Sequence, residues 1–231
     1  MSHFDETHFD DIAEHYDESL PPHVVEHYLQ KRVAFIRGHV PRGKILDVGC
    51  GTGALAERLA GEGYDVTGVD PSDGMLDVLR ERAPSITAVR ADGTNLPFDD
   101  NAFDLAYCVA VMHHVAEPGA VKKTLAEMVR VTRVGGRVLI WDHNPRNPYW
   151  SNLMNRVPQD TGEERLIPEE ELLDGLRAGG AEPLVSAQLG FVPDFVPPRA
   201  LPLAQRAERA VERIPGLRRL TAHNVILATP R

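Results

Sequence analysis

The stretch Ile45-Leu46-Asp47-Val48-Gly49-Cys50-Gly51-Thr52-Gly53 decides the fold of this chain. A short apolar run contains one acid, three glycines then alternate, and residues 54–60 have helical character. Glycine permits sharp turns and lets the backbone approach a ligand closely, and the start of a helix offers unpaired backbone N–H groups. The stretch therefore predicts a strand, a tight turn and a helix that together bind a cofactor.

Two kinds of cofactor compete for this loop. Gly49, Gly51 and Ala54 satisfy the dinucleotide pattern G-x-G-x-x-G/A, and Asp70 follows Gly51 by 19 residues as a plausible ribose-binding acid. A pyrophosphate prefers a helix N-terminus without a nearby anion, yet Asp47 lies two residues before the first glycine. An acid at that point favours a ligand that carries a cation, such as the ammonium of an amino acid, over a nicotinamide cofactor.

The segment 47–53 also resembles motif I of the class I S-adenosylmethionine (SAM) methyltransferases, D-x-G-x-G-x-G, and matches it at every fixed position. The resemblance extends over about residues 10–145 and is strongest over 44–114. It implies a doubly wound, Rossmann-like α/β fold with seven mostly parallel strands in the order 3-2-1-4-5-7-6, the last strand being antiparallel. It also implies SAM as the methyl donor and S-adenosylhomocysteine as the product.

The composition of the chain predicts one domain spanning residues 1–231, because 231 residues with 42% hydrophobic content can bury one core. Within it we expect an N-terminal helical cap (1–40), a substrate-side insertion (143–167) and an insertion between strands 6 and 7 (190–220). A helix is expected over 118–134, followed by a strand that begins at Arg137 after Gly135-Gly136.

The charge and the residue types exclude some classes of function. A net charge of −9 argues against a nucleic-acid partner, and the two cysteines form neither a disulfide framework nor a metal-spacing pattern. The sequence has no apolar run of about 20 residues and no apolar signal region. We therefore expect a cytoplasmic protein, a monomer or homodimer, that uses no metal.

Acids at predicted strand ends are the main cofactor candidates. Asp70 ends the second strand and can accept hydrogen bonds from both ribose hydroxyls. The resemblance implies that Asp92 accepts from the adenine amine and that Tyr16 lies in a segment covering the cofactor, although a packing role for Tyr16 stays open. The predicted cofactor contacts are Tyr16, Asp47, Gly49, Cys50, Gly51, Gly53, Asp70, Pro71, Met75, Ala91, Asp92, Gly93, Val109 and His114.

Histidines are the candidate catalytic bases. His113 and His114 follow the fourth strand, whose carboxyl end should face the ligand. Adjacent side chains diverge on a helix, so one ring should face the cleft while the other is structural. The resemblance implies that His113 faces the site of methyl transfer, which leaves His114 as the hydrogen-bonded support. His143, after the fifth strand, is the second candidate base.

The acceptor is expected to be a small molecule. Residues 142–150 form a polar Asn/Pro-rich loop, in which Asn144 and Arg146 are predicted substrate contacts. Tyr28, in the helix predicted over 23–38, is a third predicted contact. The alternative is a loop whose side chains only form hydrogen bonds with the backbone. A histidine base suits O-methylation of a hydroxyl. C- or N-methylation of a small or lipid-linked acceptor, a NAD-dependent oxidoreductase and a silent SAM-binding regulator remain open.

The segment 199–219 departs from the rest of the chain in charge. Six arginines lie in it, and Leu203, Ala207, Ala210, Val211 and Ile214 share one helical face. Such a helix can pack as a lid or dimer contact, lie on an anionic membrane surface, or hold an acidic or lipid-linked substrate. The sequence favours a helix packed on its own sheet.

Overall fold

The structure is a computed structural model that describes residues 6–231, so the first five residues of the expected N-terminal cap lie outside it. One sheet contains the strands of the described chain. They are β1 (Lys44–Val48), β2 (Asp65–Asp70), β3 (Thr87–Arg90), β4 (Phe103–Val109), β5 (Thr132–His143), β6 (Ala181–Leu189) and β7 (His223–Pro230).

The strand order is β3-β2-β1-β4-β5-β7-β6, and β7 runs antiparallel to both β5 and β6, whereas the other pairs are parallel. The predicted fold class and strand order are confirmed. Because β1, β2, β4 and β5 are parallel, their carboxyl ends meet at one edge of the sheet. The residues that follow these strands are therefore brought together there.

Helices precede, connect and cover the strands. They are α1 (Glu6–Ile12), a 3₁₀ helix (Ala13–Glu18), α2 (Pro22–His39), α3 (Ala54–Gly61), α4 (Asp73–Arg82), α5 (Met112–Val115), α6 (Pro118–Val131), α7 (Trp150–Leu153), α8 (Glu169–Ala178), a second 3₁₀ helix (Pro198–Ala200), α9 (Leu201–Arg213) and α10 (Pro215–Arg218). Among residues 6–231, no helix has the length and apolar character needed to cross a membrane.

Both faces of the sheet are covered by apolar side chains. On one face, Leu125 of α6 and Leu172 of α8 pack against the strands; on the other, Ile36 of α2, Leu59 of α3 and Leu79 of α4 do so. Each of these side chains is fully buried. A sheet buried on both faces is a rigid base for the loops at its carboxyl edge.

The boundary between α6 and β5 differs from the prediction. The helix ends at Val131 and the strand begins at Thr132, five residues before Arg137. Thr132 pairs with Phe103, and the register then shifts before Leu105 pairs with Arg137. Gly136 lies at this irregularity, where a Cβ would approach the Asp104 carbonyl oxygen to 2.8 Å. The glycine pair therefore permits close strand pairing instead of ending the helix.

The orientation of α9 also differs from the prediction. Leu203 of α9 and Ile214, the residue that follows the helix, face solvent, with exposed fractions of 70% and 48%. The buried residue of this helix is Glu208, whose carboxylate contacts His27 and Lys31 of α2. The helix is therefore attached to α2 by ion pairs instead of packing on the sheet, and its role as a lid or dimer contact stays a prediction.

Candidate functional site

A cavity of about 760 Å³ lies at the carboxyl edge of the sheet. One part of its wall comes from the loop after β1 and the ends of β2 and β3, and includes Asp47, Gly51, Asp70 and Asp92. Another part comes from the segments 147–160 and 191–195. This part is mainly apolar and includes the aromatic side chain of Trp150. The cavity therefore offers a polar region beside an apolar one.

The glycine loop is fixed by backbone hydrogen bonds to the neighbouring strand. The N–H groups of Gly49 and Cys50 donate to the Val69 carbonyl oxygen at 2.8 and 2.9 Å. Asp70 accepts from the Gly51 N–H at 2.9 Å and from the Ser72 N–H at 3.0 Å. A Cβ at Gly51, where φ is +52°, would meet no atom within 4 Å. The loop thus leaves space that a ligand can fill.

Gly53 has a different role from the one predicted. It does not line the cavity. It precedes α3 with φ at +78°, and a Cβ there would lie 2.1 Å from Cδ1 of Leu79. The third glycine of the motif therefore allows the start of α3 to pack closely against α4, and its assignment as a cofactor contact stays a prediction.

The two glycines give a matched pair of variants. We expect Gly53→Ala to lower the free energy of unfolding by about 2–4 kcal/mol, since a positive φ is combined with a clash in the core. Gly51→Ala should cost only about 1 kcal/mol, because its Cβ has space, but should weaken SAM binding. Denaturant unfolding and calorimetric titration with S-adenosylhomocysteine measure the two effects; equal stability losses would contradict this division of roles.

Asp47 is a buried acid at the polar end of the cavity. Its side chain is 4% exposed, and the Tyr107 hydroxyl donates to its Oδ2 at 2.8 Å. Burial raises the pKa of Asp47 to about 7, although the Tyr107 hydrogen bond opposes this rise. A cationic ligand group beside Asp47 would favour its ionised form.

Arg32 is a cavity residue that the sequence analysis missed. Its guanidinium carbon lies 5.9 Å from the ring centroids of both Tyr28 and Trp141, and burial lowers the pKa of Arg32 to about 10. Its Nε has no hydrogen-bond partner within the described chain. The signal was present in the sequence, since Arg32 shares the apolar face of α2 with Leu29 and Ile36.

The histidines at the ends of β4 and β5 form a cluster around one buried acid. His113 Nδ1 lies 2.7 Å from Oδ1 of Asp142 and 2.9 Å from Nδ1 of His143. Burial raises the pKa of Asp142, but His113 and His143 outweigh this effect and hold the pKa well below its ordinary value. Burial lowers the pKa of His143 to about 4. The cluster thus holds an ionised carboxylate next to His113.

The rings of His113 and His114 do not diverge as expected. Both line the cavity, with ring centroids 4.0 Å apart. His113 makes the hydrogen bond to Asp142, whereas His114 packs edge-on against Phe9 at 5.2 Å. The expected roles, with His113 facing the site of methyl transfer and His114 as its support, stay a prediction. His114 as a cofactor contact stays a prediction.

Asp160 joins this cluster from the segment that follows α7. Its Oδ1 lies 3.9 Å from Nε2 of His113 and has no hydrogen-bond partner among the described residues. Burial raises the pKa of Asp160 to about 6. His113, His114 and Asp160, or alternatively His113, Asp142 and His143, could hold a metal ion. The absence of a metal therefore stays a prediction.

Two of the three predicted substrate contacts lie away from the cavity. Asn144 is 1% exposed and donates through Nδ2 to the carbonyl oxygens of Arg219 and Thr221. Arg146 extends over the surface and pairs with Glu170 at 3.0 Å. Both assignments are corrected, because the polar side chains of this loop satisfy backbone groups and a surface acid.

The remaining predicted site residues all line the cavity. Tyr28, from α2, donates its hydroxyl to the Val192 carbonyl oxygen at 2.9 Å. The others are Tyr16, Asp47, Gly49, Cys50, Gly51, Asp70, Pro71, Met75, Ala91, Asp92, Gly93, Val109, His113, His114 and His143.

Comparison with known proteins identifies a family profile within the chain. Residues 46–140 match the profile of a family described as a methyltransferase domain. This match covers about two fifths of the chain and supports the assignment to the class I SAM-dependent methyltransferases. The segment contains the glycine loop and the histidines at the end of β4.

The curated relatives of this chain include enzymes named for demethylmenaquinone. This chain is 40% identical over 156 residues to a demethylmenaquinone methyltransferase of Paenarthrobacter aurescens. The matched segment covers 64% of this chain and 58% of the relative. A protein of the same name from Renibacterium salmoninarum is 37% identical over 159 residues, with 65% of each chain covered. The matches thus span about three fifths of these relatives.

Solved structures agree with the fold over a longer range. A SAM-dependent methyltransferase from Thermotoga maritima, described as a possible histamine N-methyltransferase, has a TM-score of 0.73 at 21% identity and covers 97% of this chain and 99% of its own. Magnesium protoporphyrin IX methyltransferase from Synechocystis with bound SAM has a TM-score of 0.59 at 15% identity, covering 89% and 79%. At these identities the likeness concerns the fold alone.

Proposed function

We propose that this protein transfers a methyl group from SAM to a small, apolar aromatic acceptor that carries an ionisable hydroxyl, of the quinol type. One observation carries the proposal: the buried Asp142–His113 pair opens into a largely apolar cavity that also contains the glycine loop. The pair offers a base, and the apolar wall suits an aromatic acceptor.

The residues at the polar end of the cavity fit SAM. Asp47 is suited to the ammonium of the methionine part, the free space at Gly51 accommodates close contact, and Asp70 offers carboxylate oxygens for ribose hydroxyls. Asp92 and Gly93 lie at the end of β3, where an adenine ring would be held. Bound SAM supplies an electrophilic methyl group on a positively charged sulfur.

His113 is suited to accept the proton of the acceptor hydroxyl. Its Nδ1–H donates a hydrogen bond to Asp142, so the lone pair of Nε2 is available to accept a proton. The imidazolium that forms would lie between the carboxylates of Asp142 and Asp160. His143 is uncharged at neutral pH and a weak base, given its pKa of about 4. We therefore assign the proton transfer to His113 and a supporting position to His143.

The accepting atom is either an oxygen or a ring carbon. Loss of a hydroxyl proton increases the electron density on that oxygen and on the conjugated ring carbon beside it, so the same base serves both reactions. The histidine base led us to expect O-methylation. The relatives named for demethylmenaquinone favour methylation of the quinol ring carbon as a second candidate.

Turnover with labelled SAM tests the proposal. Purified protein, treated with a chelator, is incubated with methyl-labelled SAM and a chemically reduced naphthoquinol in detergent. We expect a labelled organic product, and its NMR spectrum distinguishes an O-methyl from a ring C-methyl group. Stabilisation by S-adenosylhomocysteine without product from any hydroxylated aromatic would favour a silent SAM-binding regulator. Stabilisation by NAD(H) alone would favour an oxidoreductase.

A further inference from the structure

The helix α9 is attached to the protein by its polar side. Glu208 is 2% exposed and accepts hydrogen bonds from Lys31 of α2 and from the Phe191 N–H, the latter at 2.8 Å. Glu212 also pairs with Lys31 and accepts from the Gly190 N–H at 2.8 Å. Burial raises the pKa of Glu208, but His27 and Lys31 bring it down to about 2. These ionised pairs fix which side of α9 faces inward.

The outward side carries a row of exposed apolar side chains. Leu203 and Ile214 of this side are followed by Leu217 and Leu220, which are 46% and 49% exposed. Four large apolar side chains are thus exposed within one short segment, and exposed apolar surface of this kind marks a contact surface. We call residues 201–220 the α9–α10 surface.

The α9–α10 surface is continuous with the mouth of the cavity. Leu220 both lines the cavity and is exposed. Phe191 and Phe195, which are 45% and 70% exposed, do the same from the preceding loop. An apolar molecule leaving this surface would therefore reach the acceptor region over apolar side chains.

Positive charge surrounds the patch. Six arginines lie on or beside it and are exposed, and none makes a side-chain hydrogen bond or ion pair with the part of the chain that the structure describes: Arg199, Arg206, Arg209, Arg213, Arg218 and Arg219. The two acids of the segment, Glu208 and Glu212, are already paired with Lys31. The surface is therefore cationic in a protein with a net charge of −9.

We propose that the α9–α10 surface docks on an anionic lipid bilayer, with its leucines in the headgroup boundary and its arginines on the lipid phosphates. Exposed apolar residues flanked by arginines are the features of interfacial helices. Two-fold pairing of two copies would instead bring the six arginines of each copy close together. The mouth of the cavity then faces the bilayer, from which an apolar acceptor can enter.

Vesicle sedimentation tests the docking independently of catalysis. We expect the protein to bind vesicles of phosphatidylcholine with phosphatidylglycerol at least about tenfold more tightly than phosphatidylcholine alone, and binding should weaken in high salt. The double variant Leu203→Glu, Leu217→Glu should bind the anionic vesicles about tenfold or more weakly. The double variant Arg209→Gln, Arg213→Gln should show a similar loss. Neither pair lines the cavity.

The matched control is Val134→Glu. Val134 is 64% exposed near the start of β5, at the edge of the sheet opposite the cavity, and its variant should bind vesicles as the unaltered protein does. Equal binding to neutral vesicles, or binding unaffected by the leucine and arginine variants, would overturn the proposal. The proposal would also be overturned if the leucine and arginine variants changed from dimer to monomer but still bound vesicles. Turnover of a detergent-dispersed quinol reports separately on the proposed function.

Discussion

Replacing His113 with asparagine is expected to lower kcat by about 10²–10⁴-fold while leaving SAM affinity nearly unchanged. General-base catalysis contributes on this order. The asparagine amide nitrogen occupies nearly the position of the imidazole Nδ1, so it can still donate to the buried Asp142, whose hydrogen bond to His113 is 2.7 Å long. The variant therefore removes Nε2 while retaining the hydrogen bond. Single-turnover methyl transfer and calorimetric titration with S-adenosylhomocysteine measure the two quantities.

A histidine outside the cavity serves as the matched control for this variant. His39 is exposed at the end of α2 and contacts the Phe35 carbonyl oxygen through Nδ1, so His39→Gln should retain full turnover. Asp142→Asn tests the positioning role: kcat should fall and its pH profile should change, while KM changes little. Full turnover by His113→Asn with normal cofactor binding would mean that the protein only orients the acceptor.

The sheet and the cofactor end of the site were the parts that the sequence could predict. Apolar runs that end in Asp47 and Asp70 identify both the strands and their carboxyl ends, and parallel pairing then brings these ends to one edge of the sheet. The order of the strands came from the resemblance, since periodicity alone contains no information on which strands are neighbours.

The acceptor end was harder to predict because it depends on irregular backbone. His113 and His114 both lie on the very short α5, and their ring centroids are 4.0 Å apart. The side chain of Asn144 bonds to carbonyl groups about 75 residues away in sequence. Asp160 reaches His113 from a segment without a motif. Such contacts are set by tertiary packing rather than by local pattern.

The orientation of α9 illustrates a limit of hydrophobic periodicity. The pattern correctly predicted an amphipathic helix, but it did not show which side of the helix faces inward. The inward side is determined by Glu208 and Glu212, which meet Lys31 and two backbone N–H groups. A pair of glutamates four residues apart was the available signal. Their partners on α2 could be found only in three dimensions.

The affinity for SAM is expected to depend on pH through Asp47. The pKa of this carboxyl, about 7 in the unliganded protein, means that binding the cofactor ammonium releases a proton below pH 7. Affinity should therefore be about tenfold weaker at pH 5.5 than at pH 7.5, and it should decline again above pH 8 as the ammonium itself loses its proton. Calorimetric titration in buffers of different ionisation enthalpy measures both the affinity and the proton release.

Asp47→Asn should weaken SAM binding about 10²-fold at pH 7.5 and remove the pH dependence of SAM affinity between pH 5.5 and 7.

The folded protein holds the Asp47 proton more tightly than the unfolded chain, whose carboxyl has a pKa of 3.8. Its stability therefore falls as pH rises from about 4 to 7 on account of this group. Asparagine carries no such charge and can still accept from Tyr107, so the unliganded variant should be at least as stable as the original protein at pH 8. Asp65→Asn, exposed at the other end of the sheet, should change neither property. A destabilised Asp47→Asn, or an unaltered pH dependence, would mean that the buried carboxylate supports the fold rather than the cofactor.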